Sequence, residues 1–299
     1  MLERPLVEGS VAVRDGRRLS FAEYGSVHGA ALVWMHGTPG ARRQIPLEAR
    51  EYAEEHGLRL IGIDRPGIGT STPYLYPNVL DWTVDLAMLL DGLGIDTLRV
   101  IGLSGGGPYA LAAGAALPDR VHAVGVLGGV APTRGEDAAE GGIIQLAVHC
   151  APFLTAARLP AGIALTTAIR LVKPLASPCL DLYAAVQPVG DKRLLGRPGF
   201  KAMFLDDLLN GSRFQTSAPL ADLVLFTRDW GFRLDDVTVP VRWWHGNADH
   251  IVPFAHGMHV VDRVPNATMS VIEGESHLGG LGIATSVLEE LMTLEAATR

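Results

Sequence analysis

The sequence predicts an α/β protein built around a doubly wound, mostly parallel sheet. Short aliphatic runs that suit buried strands alternate with helical patterns over residues 31–127, and this rhythm resumes at residue 239. The composition agrees, because 48% hydrophobic and 19% charged residues among 299 indicate a globular chain with an ample core. One stretch, residues 97–116, runs from a strand through a glycine-rich turn into a helix and organises the rest.

The first half of the chain is expected to supply most of the sheet. Residues 11–13 and 19–24 form an antiparallel hairpin around Asp15-Gly16, a dipeptide typical of tight turns. Further strands are expected at residues 31–35, 58–63, 97–103 and 121–127. Helices are expected between them at residues 42–56, 78–93 and 108–116.

The pattern changes after residue 132, where helical runs appear without a strand. They are expected at residues 143–157, 163–172, 181–186 and 198–209. We therefore divide the chain into a core domain, residues 1–132 and 237–299, and a helical cap (lid) domain, residues 133–236. The sheet resumes with strands at 239–244 and 268–272, a helix at 255–264 and a last helix ending at 294.

Charge, cysteine content and hydropathy exclude several functional classes. The net charge of −7 and the lack of a basic stripe argue against a nucleic-acid partner. Arg158, Pro160 and Arg170 interrupt every candidate membrane span, and the first residues lack the apolar stretch of a signal peptide. The two cysteines, Cys150 and Cys179, are expected as free thiols in a reducing cytoplasm. No Cys/His cluster has metal-ligand spacing, and the oligomeric state is left open, with a homodimer as one alternative.

The glycine-rich turn has the pattern of a nucleophile elbow. Gly102-Leu103-Ser104-Gly105-Gly106 fits Gly-x-Ser-x-Gly, in which small neighbours allow a serine to sit on a strained turn. Pro108 suits the first turn of the following helix, where its missing N–H has no partner to lose. An incidental serine in a glycine-rich turn is the alternative, but the strand–turn–helix setting favours a nucleophile.

A serine nucleophile needs a base and an orienting carboxylate, and both appear downstream. Asp249 follows one late strand and His277 follows the next, so all three side chains can meet at the carboxyl edge of the sheet. The order Ser, Asp, His is the one expected on this architecture. The rival acids precede the strand rather than follow it: Asp229, Asp235 and Asp236. The rival histidines are interpreted as surface or packing residues: His250, His256 and His259.

The oxyanion hole requires two backbone donors aimed at one point. The N–H of Gly105, directly after the serine, is the first. The second is expected from Thr38, in the loop that follows the strand at 31–35, although that loop could also be an ordinary tight turn. His36 is interpreted as a structural residue of this loop, and Asp64-Arg65 as a brace between neighbouring loops.

Together these motifs resemble the α/β-hydrolase superfamily, in its serine-nucleophile, lid-containing, esterase-like branch. The resemblance covers the sheet domain, about two-thirds of the chain, and rests on residues 36–40, 64–69 and 102–106, Asp249 and His277. It implies an eight-stranded sheet, a lid inserted after the sixth strand, and no organic or metal cofactor. The dehalogenase and epoxide-hydrolase branches use an aspartate nucleophile, so Ser104 argues against both.

The expected function is hydrolysis of carboxylic esters of small apolar substrates through an acyl-enzyme. The aliphatic character of the lid suggests the apolar substrate. The same triad could instead cleave a carbon–carbon bond, an amide or a lactone, or carry out perhydrolysis. A ligand-binding protein on a hydrolase scaffold is a third alternative, against which the complete triad argues.

Overall fold

In the computed structural model, the described residues run from 4 to 294, with gaps at 142–148, 151, 154, 158–159, 163, 165–166, 169–170, 172 and 212–216. Eight strands of the described chain form one sheet in the order β1-β2-β4-β3-β5-β6-β7-β8. They are β1 (Val7–Ala12), β2 (Arg18–Gly25), β3 (Ala31–Met35), β4 (Arg59–Asp64), β5 (Leu98–Leu103), β6 (Val121–Leu127), β7 (Val241–Gly246) and β8 (Ala267–Ile272). Strand β2 pairs antiparallel with β1 and β4, and the other pairs are parallel. The predicted fold class is confirmed.

Helices cover both faces of the sheet. In chain order the described α-helices are α1 (Leu47–Glu55), α2 (Trp82–Gly92), α3 (Gly107–Ala116), α4 (Ala176–Ala185), α5 (Val189–Leu195), α6 (Pro198–Gly211), α7 (Ser217–Phe226), α8 (Phe254–Val261), α9 (Gly279–Gly282) and α10 (Ala284–Thr293). Side chains alternate across the strands, so Val33 and Met35 join one apolar cluster while Leu32 and Trp34 join the other. Helices α2, α3 and α8 pack on the first face and α1 and α10 on the second.

Two helices begin later than their sequence patterns suggest. Helix α1 begins at Leu47 rather than at 42, because Pro46 disfavours helical backbone in the residue before it. The N–H of Arg42 is instead bonded to Asp64 Oδ1 at 2.6 Å. Helix α2 begins at Trp82, since the Asn78 side chain accepts the N–H of Asp81 in a turn.

The described residues between β6 and β7 contain α4 to α7 and no strand. Helices α4 and α6 match two of the predicted helices, whereas α5 and α7 were missed. The helices expected at 143–157 and 163–172 lie partly outside the described residues, at 143–148, 151, 154, 163, 165–166, 169–170 and 172. The boundaries of a separate cap domain at 132 and 236 stay a prediction. None of the described helices combines the length and apolar character needed to cross a membrane.

The sheet brings four loops to one edge. Strands β3 and β5 are neighbours, with Met35 opposite Gly102, and β7 and β8 are neighbours, with Gly246 opposite Ile272. Strand β6 lies between β5 and β7. Strands β3, β5, β7 and β8 are parallel, so the loops that follow them leave the sheet at the same edge. The loop after β5 carries two of the predicted site residues, Ser104 and Gly105, and each of the other three loops carries one.

Candidate active site

Ser104 occupies a strained turn between β5 and α3. Its backbone has φ of +51°, in the left-handed region that side chains other than glycine rarely adopt. A Cβ on Gly102 would lie 2.5 Å from the carbonyl oxygen of Gly106, and one on Gly106 would collide with the carbonyl oxygen of Met35. Both glycines are therefore required by close backbone approach, which is the physical reason for the Gly-x-Ser-x-Gly pattern.

Three predicted residues form a continuous hydrogen-bonded line. Ser104 Oγ lies 2.9 Å from His277 Nε2, and His277 Nδ1 lies 2.7 Å from Asp249 Oδ2. These pairs are 173 and 28 residues apart in the chain. All three residues are nearly buried, at 8–9% exposure. The sheet thus brings together the serine, histidine and aspartate that the sequence predicted as partners.

The surroundings of Asp249 keep its carboxylate ionised. Burial acts to raise the pKa of this group, but hydrogen bonds from His245 and His277 outweigh burial and hold the pKa well below its usual value. The backbone N–H groups of Ile251 and Val252 also donate to Oδ1, at 2.8 and 2.9 Å. An ionised Asp249 accepts a hydrogen from His277 Nδ1, which leaves the His277 Nε2 lone pair facing Ser104.

His245 is a second histidine beside Asp249, and the sequence reasoning missed it. Its Nδ1 accepts the Trp243 indole N–H at 3.1 Å, so its Nε2 carries the hydrogen. That Nε2 lies 3.0 Å from the Val252 carbonyl oxygen and 3.2 Å from Asp249 Oδ2. The predicted strand ended at 244, whereas β7 continues to Gly246 and aligns His245 with Trp243. A strand two residues longer would have placed both side chains on one face.

The three rival acids and two of the rival histidines, His256 and His259, are held by other partners. Asp229 accepts the N–H of Gly231, and Asp236 accepts the N–H of Arg233, each within its own loop. His259 Nε2 lies 2.8 Å from a carbonyl oxygen outside the site. His256 lines the cavity described below, but its Nε2 is turned to the Glu140 carbonyl oxygen at 3.2 Å. Neither of these histidines is bonded to Ser104.

The loop after β3, residues 36–40, carries the predicted oxyanion donor Thr38, and we name it the oxyanion loop for that prediction. Its Thr38 side chain lies against Gly105, since a Cβ on Gly105 would collide with Thr38 Oγ1. His36 donates from Nδ1 to the Gly37 carbonyl oxygen at 2.7 Å, and burial together with the nearby Arg65 holds its pKa well below the usual value. His36 therefore supports the loop as a neutral side chain, and Thr38 and Gly105 meet beside Ser104.

Arg65 supports the same loop from the end of β4. It is 1% exposed, and its guanidinium donates to the carbonyl oxygens of His36 and Gly37. It also donates to Thr38 Oγ1 at 2.8 Å. The preceding Asp64 pairs with Arg42 instead. The Asp64-Arg65 motif thus braces neighbouring loops.

A cavity of about 70 Å³ lies beside Ser104. Thr38, Ser104 and Gly105 form its polar end. The remaining wall is mostly apolar and consists of Val130, Leu223, Phe226, Ile251, Val252, Pro253 and His256. Small size and apolar walls suit a short hydrocarbon group placed next to the serine. Within the described part of the chain, no cluster of three or more His, Cys, Asp or Glu side chains could hold a metal ion.

Comparison with known proteins agrees with this geometry. The family model for the alpha/beta hydrolase fold matches residues 30–281, well over half of the chain. The chain belongs to the α/β-hydrolase family. Among solved structures, this hydrolase is similar to an esterase from Rhodococcus, with a TM-score of 0.69, 22% identity and coverage of 96% of this chain and 99% of that one. At this identity the similarity shows the fold alone.

Two curated relatives show the range of hydrolases to which the chain is similar. A pimeloyl-[acyl-carrier protein] methyl ester esterase from Aromatoleum aromaticum is 30% identical over 82% of this chain and 90% of the relative. A proline iminopeptidase from Xanthomonas citri is 34% identical, but over only 36% of this chain and 35% of the relative. The chain thus spans about a third of the length of the iminopeptidase that it matches.

The free energy of unfolding, measured between neutral and acid pH, tests whether Asp249 is ionised in the folded protein. Its pKa lies below that of an unfolded aspartate, about 3.9, so the carboxylate contributes stability above that pH and loses it as the pH falls towards the folded-state value. We expect Asp249→Asn to lower the free energy of unfolding by about 1–3 kcal/mol at neutral pH. The deficit should shrink below about pH 4.

Urea titrations of both proteins at pH 7, 5, 4 and 3 measure this difference. Asp235→Asn is the matched control, because the Asp235 side chain is 62% exposed and contacts only a surface arginine in the described contacts. The control should differ little from wild type at every pH. An Asp249→Asn deficit as large at pH 3 as at pH 7 would contradict the lowered pKa.

Proposed function

We propose that this hydrolase cleaves carboxylic esters of small apolar substrates through an acyl-enzyme on Ser104. The observation that carries the proposal is the hydrogen-bonded line from Ser104 through His277 to Asp249, which ends at an apolar cavity. A hydroxyl becomes a useful nucleophile when a neighbouring base accepts its proton. His277 has the position of that base and Asp249 the position of its orienting carboxylate.

The proposed reaction has two steps, acylation of Ser104 and hydrolysis of the acyl-enzyme. Ser104 Oγ attacks the ester carbonyl carbon while His277 Nε2 takes the hydroxyl proton. The tetrahedral intermediate then breaks its bond to the alcohol oxygen, which receives that proton from His277 and leaves. In the second step water attacks the acyl carbon, His277 takes one proton from it, and this proton returns to Ser104 as the acid departs.

The developing negative charge needs donors on the substrate oxygen. We assign this role to the backbone N–H groups of Gly105 and Thr38, on the two loops that meet beside Ser104. The Thr38 hydroxyl is a poor donor to substrate, because its hydrogen is directed to Asp222 Oδ2 at 2.9 Å. The N-terminus of α3, which follows the serine, adds a favourable dipole.

The cavity and one relative support an ester of small apolar groups. A volume of about 70 Å³ with mostly apolar walls leaves room for a short chain and offers it few polar partners. The pimeloyl-[acyl-carrier protein] methyl ester esterase, which aligns over most of both chains, acts on an ester by its name. Ester hydrolysis therefore leads the alternatives that share the same triad.

Amide hydrolysis is the second candidate, because relatives named proline iminopeptidase match part of the chain. The two candidates differ in the leaving group, an alcohol or an amine. Comparing p-nitrophenyl acetate with L-proline p-nitroanilide under one set of conditions distinguishes them. Higher kcat/KM for the anilide would move the assignment to the peptidase reaction.

Removing the Ser104 hydroxyl tests the proposed nucleophile. We expect Ser104→Ala to lower kcat for p-nitrophenyl acetate by at least about 10³-fold, the scale seen when a triad member is lost. A fluorophosphonate probe should label wild type at Ser104 and should not label the variant. Ser26→Ala, in the loop between β2 and β3, is the control and should retain activity and labelling. Unchanged turnover in Ser104→Ala would remove Ser104 from the mechanism.

Enlarging the cavity tests the proposed substrate size. Leu223 lines the cavity, so Leu223→Ala should shift the best p-nitrophenyl ester from a short to a longer acyl chain. Each further buried methylene contributes about 0.8 kcal/mol, or about 4-fold in kcat/KM. Leu220→Ala is the matched control, because Leu220 lies one turn earlier on α7 and does not line the cavity. The same chain-length profile in all three proteins would show that this cavity does not hold the acyl chain.

A further inference from the structure

Helix α7, from the segment between β6 and β7, reaches the oxyanion loop through one carboxylate. Asp222 on this helix is 6% exposed. Its Oδ2 accepts hydrogen bonds from Arg65 Nε at 3.0 Å, from Arg65 Nη2 at 2.6 Å and from the Thr38 hydroxyl at 2.9 Å. Its Oδ1 accepts the Tyr109 hydroxyl at 2.7 Å. One side chain thus joins the loops after β3 and β4 and the helix that follows Ser104.

Burial makes these contacts expensive to break. Arg65 is 1% exposed and Tyr109 is 2% exposed, so water cannot replace the carboxylate. A buried ion pair is a weak source of net stability, yet removing one partner leaves an uncompensated buried charge. The Arg65 guanidinium would then turn towards whatever acceptors remain, which include the carbonyl oxygens of the oxyanion loop.

The position of the oxyanion loop sets the direction of the proposed oxyanion donor. Arg65 already donates to the carbonyl oxygens of His36 and Gly37 and to Thr38 Oγ1. The peptide N–H of Thr38 follows the Gly37 carbonyl directly, so a shift of that carbonyl turns the proposed oxyanion donor. Displacing a reacting or stabilising group by about 1 Å can reduce a rate by about 10²-fold.

The segment between β6 and β7 is named the insertion here. A second of its helices, α6, contacts the residue that directly follows the oxyanion loop. Asp207 on α6 is 1% exposed, and its Oδ2 accepts the N–H of Ala41 at 2.9 Å. Two buried aspartates from two helices of the insertion therefore contact the backbone or side chains that flank Pro39-Gly40. This convergence indicates that the insertion does more than supply the cavity residues Leu223 and Phe226.

We propose that Asp222 is a positioning residue for the oxyanion hole, acting through Arg65 and Thr38. The inserted helix then takes part in transition-state stabilisation without contacting substrate. This inference rests on the proposed function, because it needs Ser104 to be the nucleophile and Thr38 to be an oxyanion donor.

The test compares Asp222→Asn with wild type, with all rates divided by the concentration of sites titrated by a fluorophosphonate. We expect kcat for a short p-nitrophenyl ester to fall by about 10–100-fold and KM to stay within about 3-fold. A trifluoromethyl ketone of matching chain length forms a tetrahedral oxyanion on the serine, so its Ki should rise by a factor similar to the loss in kcat.

Asp181→Asn is the matched control. Asp181 lies on α4, its side chain is 61% exposed, and it pairs with Lys201 on α6 within the insertion. It has no contact with the oxyanion loop among the described hydrogen bonds, so kcat and Ki should equal those of wild type. A lower Tm with unchanged kcat and Ki per titrated site in Asp222→Asn would reduce Asp222 to a structural anchor and overturn the proposal.

Thr38→Val keeps the test valid if Asp222→Asn does not fold. This variant removes the hydrogen bonds of the Thr38 hydroxyl to Asp222 and to Arg65 and leaves the Arg65–Asp222 pair in place. It should raise Ki for the ketone and lower kcat, whereas unchanged values would overturn the proposal. Where both variants fold, the loss of kcat in the double variant, expressed as a free energy, should be smaller than the sum of the two single losses. The two substitutions remove the same contact between Thr38 and Asp222. Wild type with neither esterase activity nor probe labelling would instead reject the proposed function itself.

Discussion

The backbone turn at Ser104 is the constraint on which the rest of the site depends. A residue with a side chain is held at φ of +51°, and two glycines allow the backbone of β3 and α3 to approach it without collision. Such a conformation persists only where the surrounding structure determines it. Here the neighbouring parallel strand β3 and helix α3 do so, and the same packing places the oxyanion loop beside the serine.

Two charged networks fix the groups around that turn. On one side Asp249 holds His277 and is itself held by backbone N–H groups and His245. On the other side Arg65 holds the oxyanion loop and is paired with Asp222. Both networks are buried, where unpaired charges are costly, so each has few alternative arrangements. The mostly apolar cavity is lined by Thr38 from one network and Val252 from the other, and oriented donors act most strongly in such low-dielectric surroundings.

The residues that the structure brings together and that the sequence predicted either follow a strand or belong to a local motif. Ser104 has the glycine pattern, Asp249 and His277 follow consecutive strands, and Thr38 and Gly105 lie in loops fixed by the same edge. Asp222 has no such signal, because it lies within a helix that was missed and 157 residues from Arg65. His245 was missed because the predicted strand ended before it. These contacts depend on tertiary packing, which periodicity and spacing do not encode.

A crystal structure of the protein with a short alkylboronic acid tests most directly whether Ser104, Gly105 and Thr38 form one catalytic site. We expect a covalent bond from boron to Ser104 Oγ, with one boronate oxygen about 2.7–3.1 Å from the backbone nitrogens of Gly105 and Thr38. His277 Nε2 should then lie within hydrogen-bond distance of Ser104 Oγ or a second boronate oxygen. Boron bound to another residue, or an adduct whose oxygens all face away from Gly105 and Thr38, would contradict this site.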